Sequence, residues 1–364
     1  MNNLSNIIVL LAAWLLPMLV SAQQTLDSDT TWADAVVVSE KITIAARRTL
    51  TIAPGAKVLF RGSGSLHCQG KLIAEDAFFV SGEDREPGIA IQGKGEMHFN
   101  YCQFQDFIQG GSRYNLFLQI SNGNLFLRGC RFRRCAAVEY LYAGGGIDDC
   151  LFQDSQGIAV HLYHANTVQI RGTTFWGGTA SSHLLQLFAA QRCQVRDCFF
   201  YGGESALRLG YGAKRNIFSY LNLHDQSIGV YIHGNENNDN LMQNLLVTDS
   251  RSVAVRLDST GGASNLFMDC IFFRSRAGAI NATAAPGNAF RKSVFLQHKN
   301  LLLGNEFEKL SFQENIFWET KLPKDLESQL LSADSNNRQA KPLLLDPDNM
   351  LFSPADPQDG PTAK

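Results

Sequence analysis

Ten times between residues 99 and 317 the chain repeats one short pattern. It runs apolar, two residues, a Cys, small or apolar residue, one residue, then Phe or an aliphatic. Examples are Phe99/Cys102/Phe104, Leu127/Cys130/Phe132, Ile147/Cys150/Phe152, Val195/Cys198/Phe200, Met242/Leu245/Val247, Phe267/Cys270/Phe272 and Phe312/Asn315/Phe317. Successive copies lie 20 to 28 residues apart, as from Cys130 to Cys150 and from Cys102 to Cys130. No single copy is informative, but a series at nearly constant period is the mark of a solenoid. Such a period is too short for a helix pair. It suits three short strands joined by turns, each strand stacking about 4.8 Å above its counterpart in the previous coil. Short alternating runs rich in β-branched and aromatic residues, punctuated by Gly and Asn, agree. The expected fold is therefore all-β, a right-handed parallel β-helix of about ten or more coils, with an inward column of Phe. Each buried Phe stabilises the stack by roughly 1.5–3 kcal/mol.

The ends differ from this body. Asn6 to Val20 is an apolar run broken by Pro17 and followed by Val20-Ser21-Ala22, which reads as a signal peptide over 1–22 with Gln23 as mature start. No Lys or Arg precedes the run, a departure from the usual pattern. Pro17 and its shortness speak against an uncleaved anchor, so export to a secreted, periplasmic or cell-surface address is expected, with no membrane span after cleavage. Residues 23–48 read as a lead-in covering the first coil, 49–320 as the helix and 321–364 as an irregular tail. The formal charge of −2 offers no electrostatic case for nucleic acid. Eight Cys in an exported chain would suggest disulfides, yet most fall at one repeated inward position. They read as small hydrophobes, although the successive Cys102, Cys130 and Cys150 leave a bridge open.

Leu50-Thr51-Ile52-Ala53-Pro54-Gly55-Ala56-Lys57-Val58-Leu59-Phe60, with Gly64-Ser65-Leu66 and Gly70-Lys71-Leu72-Ile73-Ala74, resembles the first coils of exported bacterial β-helix proteins of the pectate-lyase-like superfamily. Leu351-Phe352-Ser353-Pro354-Ala355 resembles the segment that closes such chains. The resemblance implies a polysaccharide as partner but no particular reaction, and implies a ligand groove along one sheet. The strand after each Phe position then supplies outward columns by period-2 alternation. The first is small: Ala159, Ala206, Gly229 and Ala254, with Leu184 the exception. It reads as a groove floor, with Ala279 among the inward residues. The second is His161, Gln186, Arg208, Tyr231, Arg256 and Asn281; the third Tyr163, Phe188, Gly210, His233 and Asp258.

Arg pairs with uronate carboxylates and aromatic faces stack on sugars. Proton abstraction beside a uronate carboxyl would use Arg208 or Arg256 as neutraliser and His233, Tyr231 or His161 as base or acid. That set leaves two functions open. One is a polysaccharide-binding protein, as lyase or epimerase if catalytic; the other is a non-catalytic surface adhesin or structural rod. Asp148-Asp149 reads as a turn, because the Asn-Thr-Asp, Gly-His-Gly and Arg-Ile-Lys elements of β-helix hydrolases are absent. Gly144-Gly145-Gly146 reads as an inter-coil turn. No cofactor is expected; Asp225 and Asp249, at equivalent positions of neighbouring coils, are weak candidates for a shared Ca²⁺. The glycan, the reaction and the oligomeric state are not readable from the residues.

Overall fold

In the computed structural model, residues 18–20, 24–109, 115–178, 183–258, 264–284, 286–304 and 309–342 are described. The described strands fall into three parallel sheets, and each sheet takes every third strand of the chain. The fold is a right-handed parallel β-helix of about 13 turns, with one four-residue α-helix, Glu327–Leu330, among the described residues. Compact packing divides the chain into two units, 1–156 and 157–364.

In the first unit, Lys57–Phe60, Ser65–Cys68 and Lys71–Glu75 are three sides of one coil. They pair one coil onward with Phe78–Ser81, Ile91–Gly93 and Glu96–Asn100. Ser65–Cys68 alternates partly exposed and buried, as its apolar period of two requires. The segment expected to be a lead-in is already coiled: Gln24–Leu26 pairs with Lys41–Ile44, Thr30–Trp32 with Thr49–Ile52, and Val36–Val38 with Lys57–Phe60. Its short β-branched runs lack the Phe of later copies and so escaped the repeat. Of the expected signal peptide only the backbone of Met18–Val20 is described, beside Val36–Val38; the rest, like Leu351 to Ala355, lies outside the described residues.

Corners between the third and first sheets carry a residue in the left-handed region, followed by an inward small side chain. Asp149, Asp197 and Asp269 have φ of 53°, 54° and 54°, each preceding a buried Cys. Asp tolerates that conformation at little cost, so Asp149 sits at a corner, while Asp148, expected to share the turn, is the last residue of the strand Gly144–Asp148. The Phe column stacks at the coil spacing: Phe79–Phe104 and Phe104–Phe132 at 4.7 Å and Phe132–Phe152 at 4.4 Å. All eight cysteines are buried free thiols, and burial pushes Cys68, Cys135, Cys198 and Cys270 up to about 12.

The triple glycine is not a turn. Gly144–Asp148 is a strand, and Gly145, at φ 128°, faces inward opposite Leu125. A Cβ there would lie 2.0 Å from the Leu125 carbonyl oxygen. The buried Tyr140 ring lies alongside, its hydroxyl donating to the Leu125 and Gly146 carbonyls.

The second unit has a Phe column of its own, with Phe175–Phe200 at 4.6 Å and Phe272–Phe295 at 4.9 Å, and Leu223 and Val247 in register between them. A second internal ladder appears here. Buried Asn216, Asn240, Asn265 and Asn288 stack one per coil, each side-chain amide donating to the next Asn oxygen at 2.8–2.9 Å. Oδ1 of Asn240 also accepts the backbone N–H of Asn216, so the ladder satisfies main-chain donors that a corner leaves without a sheet partner. The tail holds the short helix, a 3-10 turn at Ala333–Ser335 and a two-residue strand, Arg338–Gln339, beside Ile316–Phe317.

Candidate functional site

Five strands of the second sheet build the site: Val160–Tyr163, His183–Phe188, Ser205–Gly210, Ile228–His233 and Val253–Asp258. Their register aligns His161, Gln186, Arg208, Tyr231 and Arg256 in one row, continued by Asn281. Tyr163, Phe188, Gly210, His233 and Asp258 align in the next. Both polar columns thus stand where the alternation put them. The small column does not form a groove floor. Ala159, Leu184, Ala206, Gly229 and Ala254 are buried at the corner where the chain enters the sheet. A Cβ on Gly229 would lie 2.6 Å from both the Val247 side chain and the Ala254 carbonyl oxygen. Ala279 belongs to that column, because Ile280 is the residue paired with Val255.

Arg208 is the hub. Its Nε donates to Nε2 of His233 at 2.9 Å, and its Nη1 reaches Nε2 of His183 at 2.6 Å and Oε1 of Gln186 at 3.4 Å. The guanidinium keeps all its protons, so both imidazole Nε2 atoms must be acceptors. His183 then carries its proton on Nδ1 and donates it to Ser205 Oγ at 2.8 Å. That direction leaves Ser205 unactivated, and no nucleophile–base pair forms. The Gln186 amide donates to Nε2 of His161 at 3.1 Å. Phe188 and Tyr231 flank the Arg208 guanidinium at 5.4 and 5.6 Å, a cation–π arrangement.

Gly210 makes room for this packing. A Cβ there would come 2.8 Å from His233 Nε2 and 2.9 Å from the Phe188 ring. Without it, Phe188 and His233 meet edge-to-face at 5.4 Å, and exposed Tyr211 closes on both at 5.0 and 5.2 Å. Beyond Tyr231, a second guanidinium, Arg256, lies 5.1 Å over the ring and is held by Asp258 at 2.7 Å. Asp258 also accepts from Thr283 at 2.7 Å.

Electrostatics follow from this wiring. Burial, then the positive field of Arg208, pushes His183 down to about 3. The same two causes, partly opposed by Asp258, push His233 down to about 4. Burial first, and then Asp258, raises the Tyr231 phenol above its usual value, so it stays protonated.

These placements revise the roles read from sequence. His161 is 0% exposed, so it cannot touch a dissolved substrate. His233 has its acceptor nitrogen committed to Arg208, which makes it a positioning residue and not a free base. Tyr231, Arg208, Arg256, Tyr163 and Asn281 remain partly exposed, and Gln186 and Phe188 are buried supports. The sequence reading missed His183, whose register partners Ser205 and, one coil further, Ile228 occupy a core-patterned position. A His at such a position was the available signal. The Ca²⁺ candidates are answered by arginines: Arg251 lies 4.0 Å from Asp225, and Arg274 3.0 Å from Asp249. No cluster of three or more His, Cys, Asp or Glu able to hold a metal occurs among the described residues.

Two neutral imidazoles under a guanidinium make stability acid-sensitive in a defined direction. Above pH 6.5, the ordinary imidazole value, neither folded nor unfolded chain protonates them and their contribution is whole. Below it the unfolded chain gains protons that the fold refuses until about pH 4 for His233 and about pH 3 for His183. His67 and His298, each depressed to about 4, add in the same sense. Urea titrations should give a level midpoint above about pH 7 and a midpoint that declines steadily from 6.5 towards 4. A midpoint that rises on acidification would mean the imidazoles are not neutral acceptors.

With this geometry in view, the chain can be set beside known proteins. A family profile described as "Right handed beta helix region" matches residues 137–317. The chain has the right-handed β-helix fold that this profile describes. Among solved structures, the catalytic domain of a GH87 alpha-1,3-glucanase in complex with nigerose has a TM-score of 0.60 at 10% identity, covering 89% of this chain and 69% of that one. A double mutant of the periplasmic alginate epimerase AlgG has a TM-score of 0.51 at 10% identity, covering 80% and 82%. PfbA, a surface adhesin of Streptococcus pneumoniae, has a TM-score of 0.52 at 9% identity, covering 78% and 83%. At these identities the β-helix protein shares fold alone with them. No curated protein sequence matches it. No helix among the described residues is long and apolar enough to cross a membrane.

Proposed function

We propose that this β-helix protein binds an acidic, uronate-containing polysaccharide outside the cytoplasm, along the Arg208–Tyr231–Arg256 row. The observation that carries the reading is the preorganised pair of guanidiniums on either side of the Tyr231 ring, 5.6 and 5.1 Å from its centre. A guanidinium fixed by neighbouring side chains loses little entropy on meeting a carboxylate, and exposed Tyr211 offers a face for a sugar ring. Two of the structurally similar proteins act on polysaccharides, which supports a glycan partner at the level of fold.

Lyase or epimerase chemistry at this face would need a base to take the proton beside the uronate carboxyl. The two imidazoles nearest the guanidinium are already committed to it, which favours binding without turnover, in the manner of a surface adhesin. The test is a screen of purified protein against pectate, alginate, hyaluronan and chondroitin, scoring retention on immobilised glycan and appearance of unsaturated uronate ends. Retention of at least one acidic polymer without cleavage is the expected result. Cleavage would move the protein to the lyases, and retention of none would remove the glycan reading.

A further inference from the structure

We propose that the stretch Leu343–Phe352 binds across the outer face of the first sheet in the second unit, closing an apolar patch between Leu246 and Trp318. The patch breaks the polarity that outward positions elsewhere obey. Phe272 and Phe295 stack inside the coil, so their strand neighbours Ile271, Phe273, Val294 and Leu296 point outward. Outward side chains of a solenoid one layer thick meet water, yet these four are apolar and only 1–8% exposed. Half-buried Leu246, Ile316 and Trp318 pack against them.

One outward row shows where the cover begins. It runs in register from Trp176 through Tyr201, His224 and Thr248 to Phe273 and Leu296. Trp176 is 51% exposed, Phe273 3% and Leu296 1%. On the first sheet of the first unit, by contrast, the aligned outward residues Lys57, Phe78, Gln103 and Arg131 are all exposed. Burial this deep on an outward face calls for a second layer over it. The described elements of the second unit do not supply one, since each strand packs extensively only against its neighbours in its own sheet.

Position, composition and reach point to the chain beyond Pro342. Arg338–Gln339 adds the last rung of this same sheet, beside Ile316–Phe317, so the described chain ends close to the patch. Leu343-Leu344-Leu345 and Met350-Leu351-Phe352 are two apolar triplets on either side of Asp346-Pro347-Asp348-Asn349. From the last rung back to the strand of Leu246 is four strand spacings, about 20 Å. The ten residues from Leu343 to Phe352 span about 33 Å when extended, enough to lay both triplets on the patch. Seated there, the segment leaves the Arg208–Tyr231–Arg256 row open, because that row belongs to another sheet.

The test is photo-cross-linking of the full chain, with p-benzoylphenylalanine replacing Leu246 in one variant and Trp318 in another. Both positions lie at the rim of the patch, so the bulky probe disturbs it least. Peptide mass spectrometry after irradiation should join each probe to a peptide within Leu343–Phe352 of the same chain. Adding Leu344→Asp and Leu351→Asp together should cut that yield severalfold and raise the fluorescence of a hydrophobic dye as the patch opens. Asp359→Lys, beyond the segment, should change neither reading. Cross-links between two chains would assign the patch to a second copy and overturn the proposal. Cross-links to any other part of the chain, none from either probe, or an unchanged yield in the double variant would overturn it as well.

Discussion

Arg208→Ala is expected to weaken binding of hexagalacturonate by roughly 10- to 100-fold, since hydrogen bonds to charged groups contribute about 1.5–3 kcal/mol each. Calorimetric titration of wild type and variant measures the loss. The informative companion is Arg208→Lys. Lysine keeps the charge, but its point-like ammonium cannot donate to His233 and His183 at once from a planar fork, nor stack between the Phe188 and Tyr231 rings. Affinity should stay near the alanine level. Full recovery by lysine would reduce the site to simple charge attraction and leave the histidine wiring without a role. Arg256→Ala should cost less, because its guanidinium is already neutralised by Asp258 at 2.7 Å.

The largest loss of stability is expected from Asn240→Leu. Leucine shares the heavy-atom branching of Asn but is bulkier and offers no polar atom. The change leaves the Asn216 backbone N–H and side-chain amide, the Ala213 carbonyl and the Asn265 oxygen each one partner short inside a closed core. At about 1–3 kcal/mol for each group left unsatisfied, the cost is on the order of 4 kcal/mol or more. Urea unfolding followed by circular dichroism would measure it. Phe132→Ala, which empties a place in a stack spaced 4.7 and 4.4 Å from its neighbours, is expected to cost about 3–5 kcal/mol. A loss below about 1 kcal/mol for Asn240→Leu would mean that the ladder's hydrogen bonds are replaced by water.

The fold was legible because one period governs the whole body. An inward apolar side chain must recur at every turn for the column to stay dry, so Phe104, Phe132, Phe152, Phe175 and Phe200 announce the coil length directly. Strand alternation likewise placed Arg208, Tyr231 and Arg256 on one row, because a one-residue slip would have turned Leu207 and Leu209 to solvent. Depth was not legible in the same way. Alternation says which side of a strand a residue occupies, but not whether a corner covers it, and so Gly229, Ala206 and His161 were read as accessible though all are buried. The asparagine ladder shares the period of the aromatic column, from Asn216 to Asn240 to Asn265 to Asn288, and was passed over because Asn also marks turns. His183 escaped for a related reason: its neighbours in register are core residues, and only the meeting with Arg208 reveals its use. Gly144-Gly145-Gly146 misled in the opposite sense, since three glycines are a common turn signal, and here they make way for Tyr140.

The most direct test of the account is a crystal structure of the protein grown with saturating hexagalacturonate. The account predicts a uronate carboxylate within about 3 Å of the Arg208 or Arg256 guanidinium, with a sugar ring against Tyr211. A hexagalacturonate seated elsewhere on the protein, or absent at saturating concentration, would contradict it.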